Sequence, residues 1–366
     1  MTQRRVRAVF MRGGTSRAIF FRESDLPAPG PERDRILSAA LGSPDPYGRQ
    51  LDGLGGGISS LSKACIIGPP THPDADVDYT FAQVDVRSPS VDYEGNCGNC
   101  SSAVGPFAVD EGLVAARDGE SVVRIHNTNT KKLIVARVPT RDGEAEVQGD
   151  FELAGVPGRG ARIALDFLDP GGAGTGRLLP TGRARETIDG VEASCVDATN
   201  PMVFVRAADL GLTGIETPQA VDADAALVGR LERLRVEAAA RMGIPGSAAV
   251  PKVAFVAPSR DFTALDGAAY PASAVDVVAR VISMGNCHRA FALTAAMCLA
   301  VAAGVPGSVV HEASRVAAGA DVRLGHPSGV LLVAATVVER NGELVADRVT
   351  VYRTARRLME GFVRIP

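Results

Sequence analysis

No stretch of eighteen or more residues is apolar throughout and free of charge, so the sequence offers no conventional transmembrane helix. It contains no long basic run either, and its formal net charge is only −3. A nucleic-acid surface, which normally shows a basic patch or stripe, is therefore not expected. Cysteine is sparse. Cys65, Cys97, Cys100, Cys195, Cys287 and Cys298 are scattered over 366 residues, too thinly for a disulfide framework. Lysine is scarcer still, with Lys63, Lys131, Lys132 and Lys252 among 39 basic residues. The first residues run on to Arg7 and Arg12 instead of an apolar segment, so no secretory leader is expected. Tryptophan is absent, and nothing else in the sequence explains why.

What is present is 46% hydrophobic and 22% charged, which predicts a well-buried core and excludes wholesale disorder. The 40 glycines and 23 prolines predict many turns between short strands. A cytoplasmic globular protein with room for two domains is the expectation.

Val6, Ala8 and Phe10 set up an opening strand, and Ala18–Phe21 its return, across the turn Arg12-Gly13-Gly14-Thr15-Ser16. Pro31 to Leu41 reads as a helix, closed by Gly42. Val77, Tyr79 and Phe81 alternate as a strand. Residues 122–125 and 133–138 are β-rich runs joined by Asn127-Thr128-Asn129-Thr130. A helix is expected from Cys97 towards Gly112. Thr217-Pro218 is expected to open a second, with Leu227, Leu231, Leu234 and Ala238 on one stripe. A third, apolar all round, should run from about Cys287 to Ala303, and a short fourth should follow Thr354. Asn341-Gly342 between Val330–Val338 and Leu344–Val351 is a strong hairpin signal. Gly95-Asn96-Cys97 and Gly285-Asn286-Cys287 stand 190 residues apart (287 − 97), each before an apolar helix, which suggests two related halves. The Gly/Pro-rich stretch Pro170 to Pro180 is the boundary candidate, giving halves 1–176 and 177–366.

Chemistry concentrates in two segments. In Glu94-Gly95-Asn96-Cys97-Gly98-Asn99-Cys100-Ser101-Ser102 the glycines admit close backbone approach, and a following helix presents unpaired N–H groups. Such a place binds carboxylates and lowers the pKa of a cysteine. A structural turn, half of a zinc site and a redox Cys-x-x-Cys are the other readings. Zinc would need two more ligands with recognisable spacing, and Cys195 and His288 stand alone. A redox dithiol would want a thioredoxin-like βαβ context, which is missing. The second segment, Asp52–Lys63, lacks the Gly-Lys-Ser/Thr ending of a nucleotide loop. What remains is a glycine- and hydroxyl-rich loop delivering Lys63 into the apolar run Ala64-Cys65-Ile66-Ile67. A desolvated lysine can serve as a base where arginine cannot. Arg12–Ser16, Asn127–Thr130, Asp197–Pro201, His288-Arg289 and His326-Pro327-Ser328-Gly329 are polar clusters able to hold an anion, and equally able to be turns or caps.

Taken together these motifs resemble the methylaconitate isomerase (PrpF) family. The resemblance is carried by Met11–Ser16, Gly42–Gly48, Asp52–Lys63, Gly95–Val109, Asp197–Val205, Ser283-Met284-Gly285, His288-Arg289-Ala290, Gly325–Gly329 and Tyr352–Met359. It spans essentially the whole chain, in order. Arg17 departs from it, standing where relatives usually have lysine. The resemblance implies an α+β fold of the diaminopimelate-epimerase type, with two similar halves, each a central helix wrapped by mainly antiparallel sheet. It implies Lys63 and Cys97 as the catalytic pair, and carries no catalytic role onto Cys287. It further implies a small anionic carboxylic acid as substrate, such as methylaconitate, aconitate, methylitaconate or oxalomesaconate. The candidate contacts to that acid are Thr15, Ser16, Gly56, Gly57, Ser59, Ser60, Gly98, Asn99, Asn200, His288, His326 and Ser328.

The expected reaction is a 1,3-allylic proton shift or a cis–trans isomerisation, with no cofactor and no metal. A two-cysteine racemase of the same fold is the rival enzyme, and a non-catalytic acid-binding protein the rival outside enzymes. A homodimer is compatible with the sequence.

Overall fold

The computed structural model describes residues 3–93, 96–245, 250–283, 285–317 and 319–366. Glu94, Gly95 and Met284 of the motifs above lie outside the described residues. The chain divides into two compact units, one running to Phe167 and taking in Tyr352–Pro366, the other Leu168–Val351.

The first unit starts with the expected hairpin. Arg4–Gly13 pairs antiparallel with Ser16–Arg22, and Gly14-Thr15 makes the two-residue turn, Gly14 at φ +52°. Ser16–Arg22 then runs parallel to Lys63–Gly68, after a crossover through the helix Pro31–Leu41. Lys63–Gly68 pairs antiparallel with Val77–Val84, which runs parallel to Gly119–Asn127, after a crossover through the helix Gly98–Asp110. Gly119–Asn127 pairs antiparallel with Lys132–Arg141. The helix Gly98–Asp110 touches strands all along this sheet, and every residue from Cys100 to Val109 is buried. Gly105 permits the close fit, since a Cβ there would stand 2.7 Å from Val138 Cγ2.

The second unit repeats this order. Val191–Ala198 and Asn200–Arg206 form a hairpin, and Asn200–Arg206 runs parallel to Lys252–Pro258 after the helix Ala225–Arg241. Lys252–Pro258 pairs antiparallel with Val277–Ser283, which runs parallel to Val322–His326 after the helix Leu293–Ala303. Val322–His326 returns antiparallel into Gly329–Arg340. Each unit is thus mainly antiparallel, with parallel pairs only where a helix crosses over. The expected fold of two like halves, each with a buried central helix, is what the chain adopts. Asn341 (φ 54°) and Gly342 (φ 81°) form the hairpin turn foreseen between the last long strands of this unit.

Four expectations need correction. The stripe Leu227–Ala238 belongs to a helix capped by Asp224, whose carboxylate accepts the Leu227 N–H at 3.0 Å. Thr217 caps only the short helix Pro218–Ala223. The third helix starts at Leu293, not near Cys287, because Asn286–Cys287 is a two-residue strand on Val277–Ser283. That short strand has the topological place of Val91–Asp92, which pairs with Val77–Val84 in the first unit. The cysteine echo therefore does not mark equivalent positions. Finally, no helix follows Thr354. Ala355–Ile365 is a strand paired with Arg4–Gly13, which leaves its outward residues exposed in partial alternation. The segment Pro170 to Pro180 is folded onto Asp197, whose carboxylate accepts the N–H groups of Gly174 and Thr175 at 2.8 and 2.7 Å. Among the described residues, no helix is long and apolar enough to cross a membrane.

The central helix of the first unit is anchored at its C-terminal end by Glu111. Its carboxylate takes hydrogen bonds from Arg22 Nε at 2.9 Å, Arg7 Nη2 at 3.1 Å and Arg357 Nη2 at 2.9 Å, one cation from each of three adjacent strands. Burial opposes ionisation of Glu111, but these arginines more than offset it, and its pKa ends below the ordinary value. The resulting stabilisation is complete above the unfolded glutamate range, near ~4.3, and is lost as pH falls through the lower folded value. Glu111→Gln should cost about 3 kcal/mol at pH 7 in denaturant titrations, with the deficit shrinking in acid. Equal midpoints at pH 7 would show that the clamp contributes nothing.

Candidate active site

Cys97 is the N-cap of the helix Gly98–Asp110. Its backbone is extended (φ −106°, ψ 98°), and its Sγ accepts the Cys100 N–H at 3.5 Å. The sulfur thus stands over the positive end of the helix. The expected lowering of its pKa does not follow. The hydrogen bond shared with the Cys100 side chain, together with burial, holds the Cys97 thiol well above the usual range. The Lys63 charge and the Cys100 N–H pull the other way without prevailing. Behind it stand more polarisable groups, with Cys100 against Cys65 and the Cys65 sulfur 3.9 Å from the Tyr79 hydroxyl.

Lys63 opens the strand Lys63–Gly68 and lies in register with Gln83 on the next strand. It is buried, 7% exposed, and its Nζ donates to Gln83 Oε1 at 2.5 Å while standing 4.9 Å from the Phe81 ring centroid. Gln83 in turn donates to the carbonyls of Ser59 (3.1 Å) and Ser62 (2.8 Å), so one side chain ties the lysine to its own loop. Buried Gln50 holds the other end of that loop. It accepts the Gly57 N–H at 2.9 Å and donates to Ser43 and Ser62 hydroxyls at 2.8 and 2.7 Å. Gly57 is at φ +73°, and a Cβ on Gly56 would come within 3.1 Å of Arg17 Nη2. Ser59 is exposed and Ser60 half-buried. The loop is a fixed structure with Arg17 laid against its glycines.

Asn99, next to Gly98 in the first helical turn, joins three segments. Its amide donates to Thr15 Oγ1 at 3.0 Å, and its Oδ1 accepts Arg353 Nε at 3.1 Å. Gly13 and Gly14 make room for it, since a Cβ on Gly14 would stand 2.3 Å from Asn99 Oδ1. Ser16, beside them, is buried. Arg353 was not foreseen. It is 5% exposed, and among the described residues its side chain donates to neutral acceptors, Asn99 Oδ1 and the Tyr352 carbonyl at 2.8 Å. Burial pulls its pKa down to about 10, with Cys97 opposing. The signal lay in the strand's alternation, where Arg353 continues the inward phase of buried Val349 and Val351.

The remaining candidates belong to the second unit. His288 Nδ1 accepts the Ala290 N–H at 3.0 Å, and burial lowers its pKa, with a smaller contribution from the Lys252 charge. Buried His326 accepts the Ser328 N–H at 3.1 Å, and the Ser328 hydroxyl donates to the Arg289 carbonyl at 2.6 Å. His326 and Ser328 are thereby brought together beside the backbone of Arg289, the residue after His288, whereas among the described residues the Asn200 side-chain amide bonds to its own neighbours, Pro201 and Met202. Cys287 belongs to the core of this unit and is 4% exposed. Its N–H donates to Asp222 at 2.6 Å, and burial pushes its thiol up to about 12, against the pull of Arg280. Among the described residues, no three His, Cys, Asp or Glu side chains gather as a metal site.

Comparison with known proteins places these motifs. The profile of the PrpF protein family matches residues 3–366. The chain belongs to the PrpF family. It is 43% identical to 3-methylitaconate isomerase of Eubacterium barkeri, over 99% of this chain and 98% of the relative. It is 41% identical to 2-methyl-aconitate isomerase of Shewanella oneidensis, over 100% and 98%. A crystal structure of methylitaconate-delta-isomerase superposes with a TM-score of 0.93 at 42% identity, covering 100% of this PrpF-family chain and 96% of its own.

The surroundings of Cys97 set its reactivity. A thiol raised above its usual range carries less thiolate at pH 7 than free cysteine. Alkylation of Cys97 by iodoacetamide, followed by peptide mass spectrometry, should therefore be slower than that of glutathione at pH 7 and climb as pH rises past 9. A rate above glutathione's at pH 7 would contradict the assignment.

Proposed function

We propose that this chain is a cofactor-independent isomerase that moves a proton, and with it a carbon–carbon double bond, within a small unsaturated di- or tricarboxylic acid. The observation that carries this reading is the pairing of Cys97, at a helix start, with buried Lys63, whose charge acts on it. Full-length relatives of two named activities, on methylitaconate and on 2-methylaconitate, support the class of reaction.

The hard step is removing a proton from a carbon only weakly acidified by a conjugated carboxylate. Charge then spreads into a dienolate, so a preorganised positive environment supplies the largest contribution. The buried Arg353 and the N–H groups of the first helical turn provide it, joined by Lys63 once it has taken the proton. In our reading Cys97, favoured as a thiol, gives the proton to the far carbon. Lys63 takes the proton from the near one, which requires that it enter turnover as the amine. Thr15, Asn99, Ser59 and Ser60 are the polar groups of the first unit assigned to the substrate.

The two-cysteine racemase reading is disfavoured by the surroundings of Cys287, which sits in a core and pairs its N–H with Asp222. A binding protein without chemistry would bind the acid yet leave its C–H bonds intact.

Incubation of methylitaconate, 2-methylaconitate, trans-aconitate and oxalomesaconate in D₂O, followed by NMR, tests the assignment. Wild type should place deuterium in substrate and product of one of them. Lys63→Met should abolish exchange and turnover together. Cys97→Ala should cut turnover by ~10²–10⁴-fold while deuterium still enters recovered substrate. Exchange lost in Cys97→Ala but kept in Lys63→Met would reverse the two roles. Full activity in either variant would sink the pair. Arg353→Gln should lower kcat/KM by ~10²-fold, with Arg353→Lys closer to wild type.

A further inference from the structure

Cys100 has no part in the proton transfer, yet it is the neighbour Cys97 touches most directly. Its N–H donates to the Cys97 sulfur at 3.5 Å, and the two side chains share a hydrogen bond. Cys97 is the N-cap and Cys100 the third helical residue, so helix geometry sets their Cα atoms about 5 Å apart, inside the range a disulfide spans. Cys97 is a partly exposed residue, whereas Cys100 is 1% exposed. A partly exposed cysteine backed by a buried one within bonding reach is the arrangement of an attacking and a resolving thiol.

We propose that Cys97 and Cys100 are an oxidation site, at which a peroxide converts the pair to an intramolecular disulfide and withdraws Cys97 from proton transfer. In the first step the Cys97 thiolate attacks one peroxide oxygen. The O–O bond breaks, hydroxide leaves and takes up a proton as water, and Cys97 becomes a sulfenic acid. In the second, Cys100 gives up its proton and attacks the Cys97 sulfur. The S–O bond breaks, a second water leaves, and the S–S bond forms. Two thiols lose two electrons and hydrogen peroxide gains them. A dithiol reductant reverses the change through a mixed disulfide.

The structure also sets the pace. Cys97 is held as a thiol, so the first step is slow at neutral pH and quickens as pH rises. Once sulfenic acid has formed, Cys100 is already adjacent, but its hydrogen bond with Cys65 and its burial hold it as a thiol too, so the second step also quickens as pH rises. Cys65, packed against Cys100, is the competing resolving partner for that inner sulfur. It is 0% exposed, with no direct access for the reagent.

The effect on activity rests on the role given to Cys97 above, whereas the disulfide itself does not, so one experiment reads both. The protein is treated with hydrogen peroxide at pH 7 and pH 9. Thiols are counted, peptides are mapped without reduction, and activity is followed before and after dithiothreitol. The expected result is loss of two of the six free thiols, a Cys97–Cys100 linked peptide and faster reaction at pH 9. Activity should fall at least ~10-fold and return with dithiothreitol. Cys100→Ser should yield no linked peptide and a Cys97 sulfenic acid trapped by dimedone. A Cys65–Cys100 link, or inactivation with no linked peptide in wild type, overturns the proposal, whether or not Cys100→Ser folds. A complete Cys97–Cys100 link with activity unchanged would uphold the site and overturn the role of Cys97 in turnover.

Discussion

The first unit depends on the two-sided hydrogen bonding of one amide, Asn99. Through its NH₂ it holds the N-terminal hairpin at Thr15, and through its oxygen it holds Arg353, at the end of the strand Glu343–Arg353. The two hydrogen bonds fix the amide's orientation, because a guanidinium only donates and so demands the oxygen. That orientation sets the first turn of the helix, and the first turn sets where the Cys97 sulfur stands. Gly13 and Gly14 are small because any side chain there would occupy the space of Asn99.

Around that junction the site is an exercise in opposed electrostatic effects. A helix start and a neighbouring ammonium favour thiolate. Burial and a second thiol favour the protonated form, and they prevail. Arg353 meets the complementary problem, a cation buried on neutral partners, which is costly until negative charge arrives. A site with its thiol held protonated and its arginine hydrogen-bonded, among the described residues, to neutral acceptors is stabilised by an anion. That is the condition for binding charge as it forms instead of beforehand.

Much of this was legible in the sequence. Alternation revealed the opening hairpin, Asn341-Gly342 the closing one, and Pro31 with Gly42 the ends of a helix, because each is a local signal. The misplacements arose where long-range pairing overrode local pattern. Cys287 precedes an apolar helix, but Asn286–Cys287 is claimed first by the edge of Val277–Ser283. Thr354 resembles a helix cap, but the residues after it are needed opposite Arg4–Gly13. Within the site, Lys63 and Cys97 stood out by rarity and motif. Arg353 did not, since arginine is common here and its burial depends on a partner 254 positions away. The sign of the Cys97 shift was hidden for a related reason. The helix start is a local motif, whereas burial and the hydrogen bond with the Cys100 side chain, which outweigh it, depend on how the helix packs.

The pairing of Arg4–Gly13 with Ala355–Ile365 has a consequence for synthesis. The ribosome releases nearly all of the first unit by Phe167, then makes the 184 residues of the second (351 − 167) before Tyr352 emerges. At ordinary translation speeds that is roughly 10–40 s. Throughout that interval the nascent hairpin has an open edge, and Asn99 lacks its arginine. The second unit is one contiguous piece of chain, whereas the half that carries Cys97 is completed only by residues translated after it. A chain that stops before Tyr352 can keep Cys97 and Asn99 in sequence without ever gaining Arg353 or the strand that pairs with Arg4–Gly13.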